Sequence, residues 1–157
     1  MTDAQRRIAI ASDHRGYEAV DAIRDHLGAA GWSVEILARP SDADAGVDYP
    51  DAAREVAEAV LQDRADRGVL VCGSGIGMSM AANRLQGIRA ALVADAQAAE
   101  MSRRHNDANV LCMGSSCLEP DTMNGILDIW LHTEFEGGRH ERRVNKIDAL
   151  GSCSEPC

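Results

Sequence analysis

The chain predicts a three-layer α/β/α sandwich, with helices on both faces of a five-stranded parallel sheet and one extra helix at the C-terminal end. Three observations carry this. Strand-like and helix-like segments alternate along the 157 residues. Several strand candidates, GVLVC at 68–72 among them, are continuous apolar runs, the pattern of strands covered on both sides. Aromatic residues make up 3% of a chain that is 45% hydrophobic, so its core is built from Ala, Val, Ile, Leu and Met, which suits stacked layers.

The elements follow in order. Arg7 to Ser12, RIAIAS, is a β-prone run that stops at the polar Asp13-His14-Arg15-Gly16. Val20, Ile23 and Leu27 then recur at helical spacing between Tyr17 and Ala30, and Gly31 marks the stop. Trp32 to Leu37 reads as a strand, Pro50 to Gln62 as a helix and Gly68 to Cys72 as a strand. A helix from Ile76 to Leu85 leads to a strand from Ala90 to Val93. Another from Ala96 to Arg104 leads to a strand from Val110 to Met113, and Asp121 to His132 forms the next helix. The alternation is Rossmann-like. Arg139 to Leu150 is a helix with no strand of its own, the kind of element that packs on a partner subunit.

One core-bearing domain over 1–150 fits this length, followed by a flexible tail at 151–157 whose GSCSEPC has no periodicity. A net charge of −9 argues against nucleic acid, which is held chiefly through phosphate contacts. A small anion remains possible, because it feels the local field of its pocket. No apolar run nears the ~20 residues of a membrane span, and MTDAQRR enters the first strand directly, so a cytoplasmic protein with no membrane partner is expected. The five cysteines are an odd number with no zinc-ligand spacing, and are expected as free thiols. No metal site is expected.

In parallel α/β sheets ligands sit beyond the carboxyl ends of the strands. CGSGIGMS is the strongest local signal there: Gly73, Gly75 and Gly77 at alternate positions let the backbone approach a ligand and aim its amides at an anion. A dinucleotide fingerprint would need a third glycine where Met78 stands, although Asp95 could supply its later acidic residue. Cys72 opens this amide-rich loop, a setting that favours a thiolate base, though a cysteine closing an apolar strand also serves as a small core residue. Ser74 can orient a substrate hydroxyl or simply bond its own turn. His105 and Asn106 end a helix, where imidazole can donate a proton and Asn can cap in the left-handed conformation. Asp13-His14 follows the first strand. Arg139 and Arg143, four apart in GGRHERR, share a helix face and either converge on a phosphate or lie in solvent.

Taken together, SDHRGY, DYP, CGSGIGMSMAANR, GIRA, RRHNDANVLCMG and EFEGGRHERRV resemble the type B ribose-5-phosphate isomerases, a family that includes galactose-6-phosphate isomerase subunits. The likeness runs from about Ile8 to Leu150. It implies an aldose–ketose isomerase that needs no cofactor or metal and acts on a small phosphorylated sugar, with ribose 5-phosphate the default. By that likeness Cys72 moves a proton between C1 and C2, Ser74 supports the shuttle, and amides around Gly73, Gly75 and Gly77 hold the enediolate. His105 assists ring opening, Asp13 and Tyr49 hold hydroxyls, Asn106 binds the enediolate or a hydroxyl, and His14, Arg139 and Arg143 hold the phosphate. Some members carry instead a glutamate base at the position of Met78, so here the base is Cys72. A homodimer or tetramer with shared sites is implied. One departure stands out: the family usually has a phosphate-binding arginine where this chain has Ser116, which leaves open another four- to six-carbon sugar phosphate, or a non-catalytic phosphosugar- or nucleotide-binding module.

Overall fold

The structure, a computed structural model, describes residues 6–41 and 46–150. The expected tail, with Cys153 and Cys157, lies outside the described residues. Five strands, β1 (Arg7–Ser12), β2 (Ser33–Ala38), β3 (Arg67–Cys72), β4 (Ala90–Leu92) and β5 (Val110–Gly114), alternate with α1 (Tyr17–Ala29), α2 (Tyr49–Leu61), α3 (Ile76–Ala82), α4 (Ala96–Arg104) and α5 (Pro120–His132). A last helix, α6 (Arg139–Ala149), has no strand after it. All pairings are parallel, in the order β2-β1-β3-β5-β4.

That order positions the site. The chain steps outward from β1 to β2, then crosses back to β3 on the other side of β1, so the strand order reverses between β1 and β3. Loops leaving neighbouring strands at such a reversal part from one another and open a crevice. Cys72 ends β3 there, in register with Gly114 at the end of β5, while Ser12 of β1 pairs with Val71.

The two faces of the sheet differ in what they bury. Along β1, Ile8 and Ile10 enter a cluster with Val20, Leu27, Leu127 and Trp130, whereas Ala9 and Ala11 face the opposite way. This is the period-two alternation of a pleated strand. On the first side each fully buried aliphatic residue stabilises by about 1.5–3 kcal/mol relative to exposure. The second cluster is alanine-rich, drawing Ala52, Ala53, Ala57 and Ala59 from α2, and it also contains Cys72, Met78 and Cys112. Small side chains there bring α2 close: an added Cβ on Gly68 of β3 would come within 2.5 Å of Val56.

Element limits differ from the sequence expectations by a residue or so, except at α3, which stops at Ala82 rather than Leu85. The reason lies outside the helix. Asn83 turns its amide to the β4 backbone, donating to the Ala90 carbonyl (2.8 Å) and accepting from the Ala90 N–H (2.8 Å). No described helix is long and apolar enough to cross a membrane.

Candidate active site

Three strand ends build one cleft. β3 delivers Cys72 and the glycine loop, β1 delivers Asp13 and Arg15, and β5 delivers Ser116 and Cys117. The start of α2 adds Tyr49 and α3 adds Ile76, Gly77 and Met80, enclosing about 610 Å³. Cys72 is 5% exposed, at the mouth of the alanine-rich layer. Its sulfur accepts the Gly75 N–H at 3.1 Å. That contact fixes the sulfur at the head of the glycine loop, facing the cleft.

The glycines are demanded by space. Gly75 sits at φ +76, and a Cβ there would lie 2.6 Å from the Leu92 side chain and 3.0 Å from the Met113 backbone. A Cβ on Gly77 would meet the Tyr49 ring at 2.7 Å, so glycine lets that ring lie against the first turn of α3. Ser74 is exposed and its Oγ accepts the Ile76 N–H at 3.3 Å. The β5 loop closes onto the β3 loop, with Ser115 N–H donating to Cys72 O and Ser116 N–H to Gly73 O, both at 2.9 Å. Asp13 is 6% exposed, and its carboxylate accepts the N–H groups of Arg15 (2.8 Å) and Gly16 (3.2 Å).

His14 does not line this cleft. With Arg15, Ser115 and Ser116 it borders an adjoining hollow of about 650 Å³ that shares Arg15 and Ser116 with the Cys72 cleft.

His105, Asn106, Arg139 and Arg143 form a separate group. His105 is the C-cap of α4 and stacks on His140 with ring centroids 4.2 Å apart and planes 2° from parallel. Glu136 lies 3.9 Å from the Nε2 atoms of both imidazoles, and Arg139 Nε donates to His140 Nε2 at 3.3 Å. Burial, with help from His105 and Arg139, pushes the His140 imidazole below its usual range. Arg143 is exposed, and Asn106 borders a small hollow of about 230 Å³ with Arg89 and Ile147. His105, Glu136 and His140 have the donor types of a metal site, their ligand atoms all within 4.8 Å of one another. Stacked parallel rings, however, keep their in-plane lone pairs in two separate parallel planes, a poor arrangement for meeting at one ion. None of the four residues reaches the Cys72 cleft of its own chain.

Several sequence signals resolve differently. The left-handed residue after α4 is Asp107 (φ 47), not Asn106, and its carboxylate bridges Arg89 and Arg103. Asp95 is the N-cap of α4, accepting the Ala98 N–H at 2.7 Å. That use, and a wholly buried Met78 where a third glycine would stand, leaves nothing of the dinucleotide fingerprint. The described cysteines are free thiols: Cys112 is buried, with its thiol pushed far up by burial, and Cys117 is exposed at the cleft. Sequence reasoning gave no role to Arg15, Cys117, Glu136 or His140. For Arg15 the signal was its place beside Asp13-His14.

Fold and cleft together define a parallel α/β protein with a cysteine thiol beside an amide-rich loop and without a nucleotide-binding turn. Comparison with known proteins carries this to a family. The Ribose/Galactose Isomerase family matches residues 8–147. Ribose-5-phosphate isomerase B of Escherichia coli is 40% identical over 145 residues, covering 92% of this chain and 96% of that one. The ribose-5-phosphate isomerase B structure from Clostridium thermocellum superposes with a TM-score of 0.88 at 44% identity, covering 92% of this chain and 96% of that chain. The type B enzyme of Trypanosoma cruzi gives 0.90 at 40% identity, covering 96% and 99%. The chain belongs to the ribose/galactose isomerase family, and it is an isomerase.

Proposed function

We propose that this enzyme interconverts ribose 5-phosphate and ribulose 5-phosphate by proton transfer through an enediolate, with Cys72 as base. The observation that carries the reading is the sulfur at the end of β3, held 3.1 Å from the Gly75 amide and facing a cleft lined by Asp13, Tyr49 and Ser74. The Cys72 thiolate takes the proton from C2 of the open-chain aldose. The electron pair moves to the C1 oxygen, amides around Gly73, Gly75 and Gly77 stabilise the enediolate, and the thiol returns the proton to C1. Asp13 and Tyr49 hold hydroxyls and Ser74 steers the oxygen-bound protons. No step calls for a metal or cofactor.

Ring opening and phosphate binding fall to the second group. His105 passes a proton during opening of the furanose, Asn106 holds a hydroxyl or the enediolate, and Arg139 and Arg143, with His14, take the phosphate. Because the first four of these lie away from the Cys72 cleft of their own chain, they act in the cleft of a partner copy. Two features support a dimer with shared sites. Tyr49, Ile76 and Met80 leave apolar surface at 44, 47 and 67% exposure around the cleft, and Ile147 of α6 and Leu150, its C-cap, do so at 45 and 78%.

Ser116 at the cleft keeps a second reading open, in which a tetrose or hexose phosphate is preferred. Incubation of the purified protein with four-, five- and six-carbon aldose phosphates, with and without EDTA, tests both. Ketose should form fastest from ribose 5-phosphate and be indifferent to chelator. No turnover of any of the sugars would remove the isomerase reading of the substrate.

A further inference from the structure

A charged side chain of the cleft with no role so far is Arg15. Its backbone is fixed at both ends, the N–H by the Asp13 carboxylate (2.8 Å) and the carbonyl by the Ser115 hydroxyl (2.7 Å). From that anchor the side chain lies across the glycine loop: a Cβ built on Gly73 would be 2.8 Å from Arg15 Nε, 2.9 Å from its Cδ and 3.5 Å from Ser116 Oγ. Arg15 and Ser116 thus meet over the first residue of the loop that follows the base.

The guanidinium has no carboxylate partner within ion-pair distance among the described residues, whereas Arg7, Arg24, Arg39, Arg89, Arg103 and Arg104 are all paired. Asp13, two residues before it, is committed to two backbone amides, and Glu18 and Glu119, which line the outer hollow with Arg15, are not within ion-pair distance of it. In a chain of net charge −9, a cation left unpaired between two hollows calls for an anion from outside. Its planar fork suits the paired oxygens of a phosphate better than a lone hydroxyl.

We propose that Arg15 is the phosphate-binding cation that this chain itself supplies to the Cys72 cleft, and that it sets the preference for phosphorylated over unphosphorylated sugars. The proposal rests on the sugar-phosphate reading above. Arg15 supplies the charge that Ser116 lacks, from the facing strand end and over the same glycine.

Arg15→Met keeps the apolar stem and removes the fork. For ribose 5-phosphate, KM should rise about 10- to 100-fold, the equivalent of one charge-assisted contact, with kcat changing far less. The affinity for inorganic phosphate, titrated by calorimetry on the intact protein, should weaken in parallel. Arg15→Lys should retain part of both, and adding Ser116→Arg to Arg15→Met should recover them. Arg15→Met with wild-type KM and wild-type phosphate affinity would overturn the proposal while leaving the isomerase reading untouched. So would a raised KM with unchanged phosphate affinity, since that signals a steric role. Absence of turnover by the wild-type protein would instead sink the isomerase reading, and the phosphate titration would still decide Arg15.

Discussion

The Cys72 cleft and the His105 group are built on opposite principles. The cleft is made by backbone: its sulfur is aligned by an amide, its loop by glycines, and its wall by the β5 turn closing onto Cys72 O and Gly73 O. The His105 group is made by side chains: two stacked imidazoles, a shared carboxylate and arginines on a helix that leans on the body through ion pairs such as Arg89 to Asp148. A transition state that develops charge needs donors that do not reorganise, which backbone supplies. The ring opening and phosphate capture proposed for the His105 group place no such demand on it. The difference teaches that the chain fixes the Cys72 sulfur through its backbone and the His105 group through side-chain contacts, two regions that can be perturbed separately.

The sharpest way to break this comparison is at Cys72, the proposed base. Cys72→Ala should lower kcat by about 10²–10⁴-fold, the usual weight of a general base, with fold and sugar-phosphate binding retained. Circular dichroism and calorimetry read the last two. Near-normal turnover would take Cys72 out of the mechanism.

Sharing of the two regions between subunits is tested by mixing. Separately impaired Cys72→Ala and His105→Ala proteins, unfolded and refolded together, should regain about a quarter of wild-type activity, since half of random dimers then hold one intact site of two. No gain on mixing would mean that each chain completes its own site. On its own, His105→Ala should slow the cyclic sugar more than an open-chain substrate, and equal losses would refute the ring-opening role.

The backbone character of the cleft is probed at Gly75. Its φ of +76 costs a side-chain-bearing residue about 1–2 kcal/mol, and the added methyl would press on Leu92 at 2.6 Å. Gly75→Ala should therefore lower stability by at least that amount in urea titration and slow catalysis by tilting the amide from the sulfur. A variant of unchanged stability would show that the loop adapts.

The smallest effect belongs to the side-chain region. Because the His140 imidazole titrates below its usual range in the folded chain, the unfolded chain takes up the proton first as pH falls. Stability should be full above about pH 6.5 and decline as pH drops through the folded value. His140→Gln should flatten that decline by a modest margin, and an unaltered slope would assign it to other groups.

How much of this was legible in the sequence follows from the physics of each part. Apolar runs such as Val69-Leu70-Val71 announce a doubly covered strand because each is buried on both faces. The glycine loop was legible since close backbone approach admits few other residues. The end of α3 was not: it depends on Asn83 reaching Ala90, a contact between elements that local periodicity does not record. The crevice between β1 and β3 depends on strand order, so the meeting of Arg15 with Ser116, a hundred residues apart, was invisible too. Glu136 and His140 carry no local pattern that marks them, and only the stack of His140 on His105 and the reach of Glu136 to both imidazoles give them meaning.

The alanine layer beneath Cys72 has one more consequence. Alanine has no χ angle to choose, so eight of the fifteen buried residues of that cluster lose no rotamer freedom on folding and have none to exchange afterwards. Ligand arrival should therefore freeze little in the layer under Cys72, and the entropy lost on binding should come chiefly from the ligand and the exposed residues around the cleft.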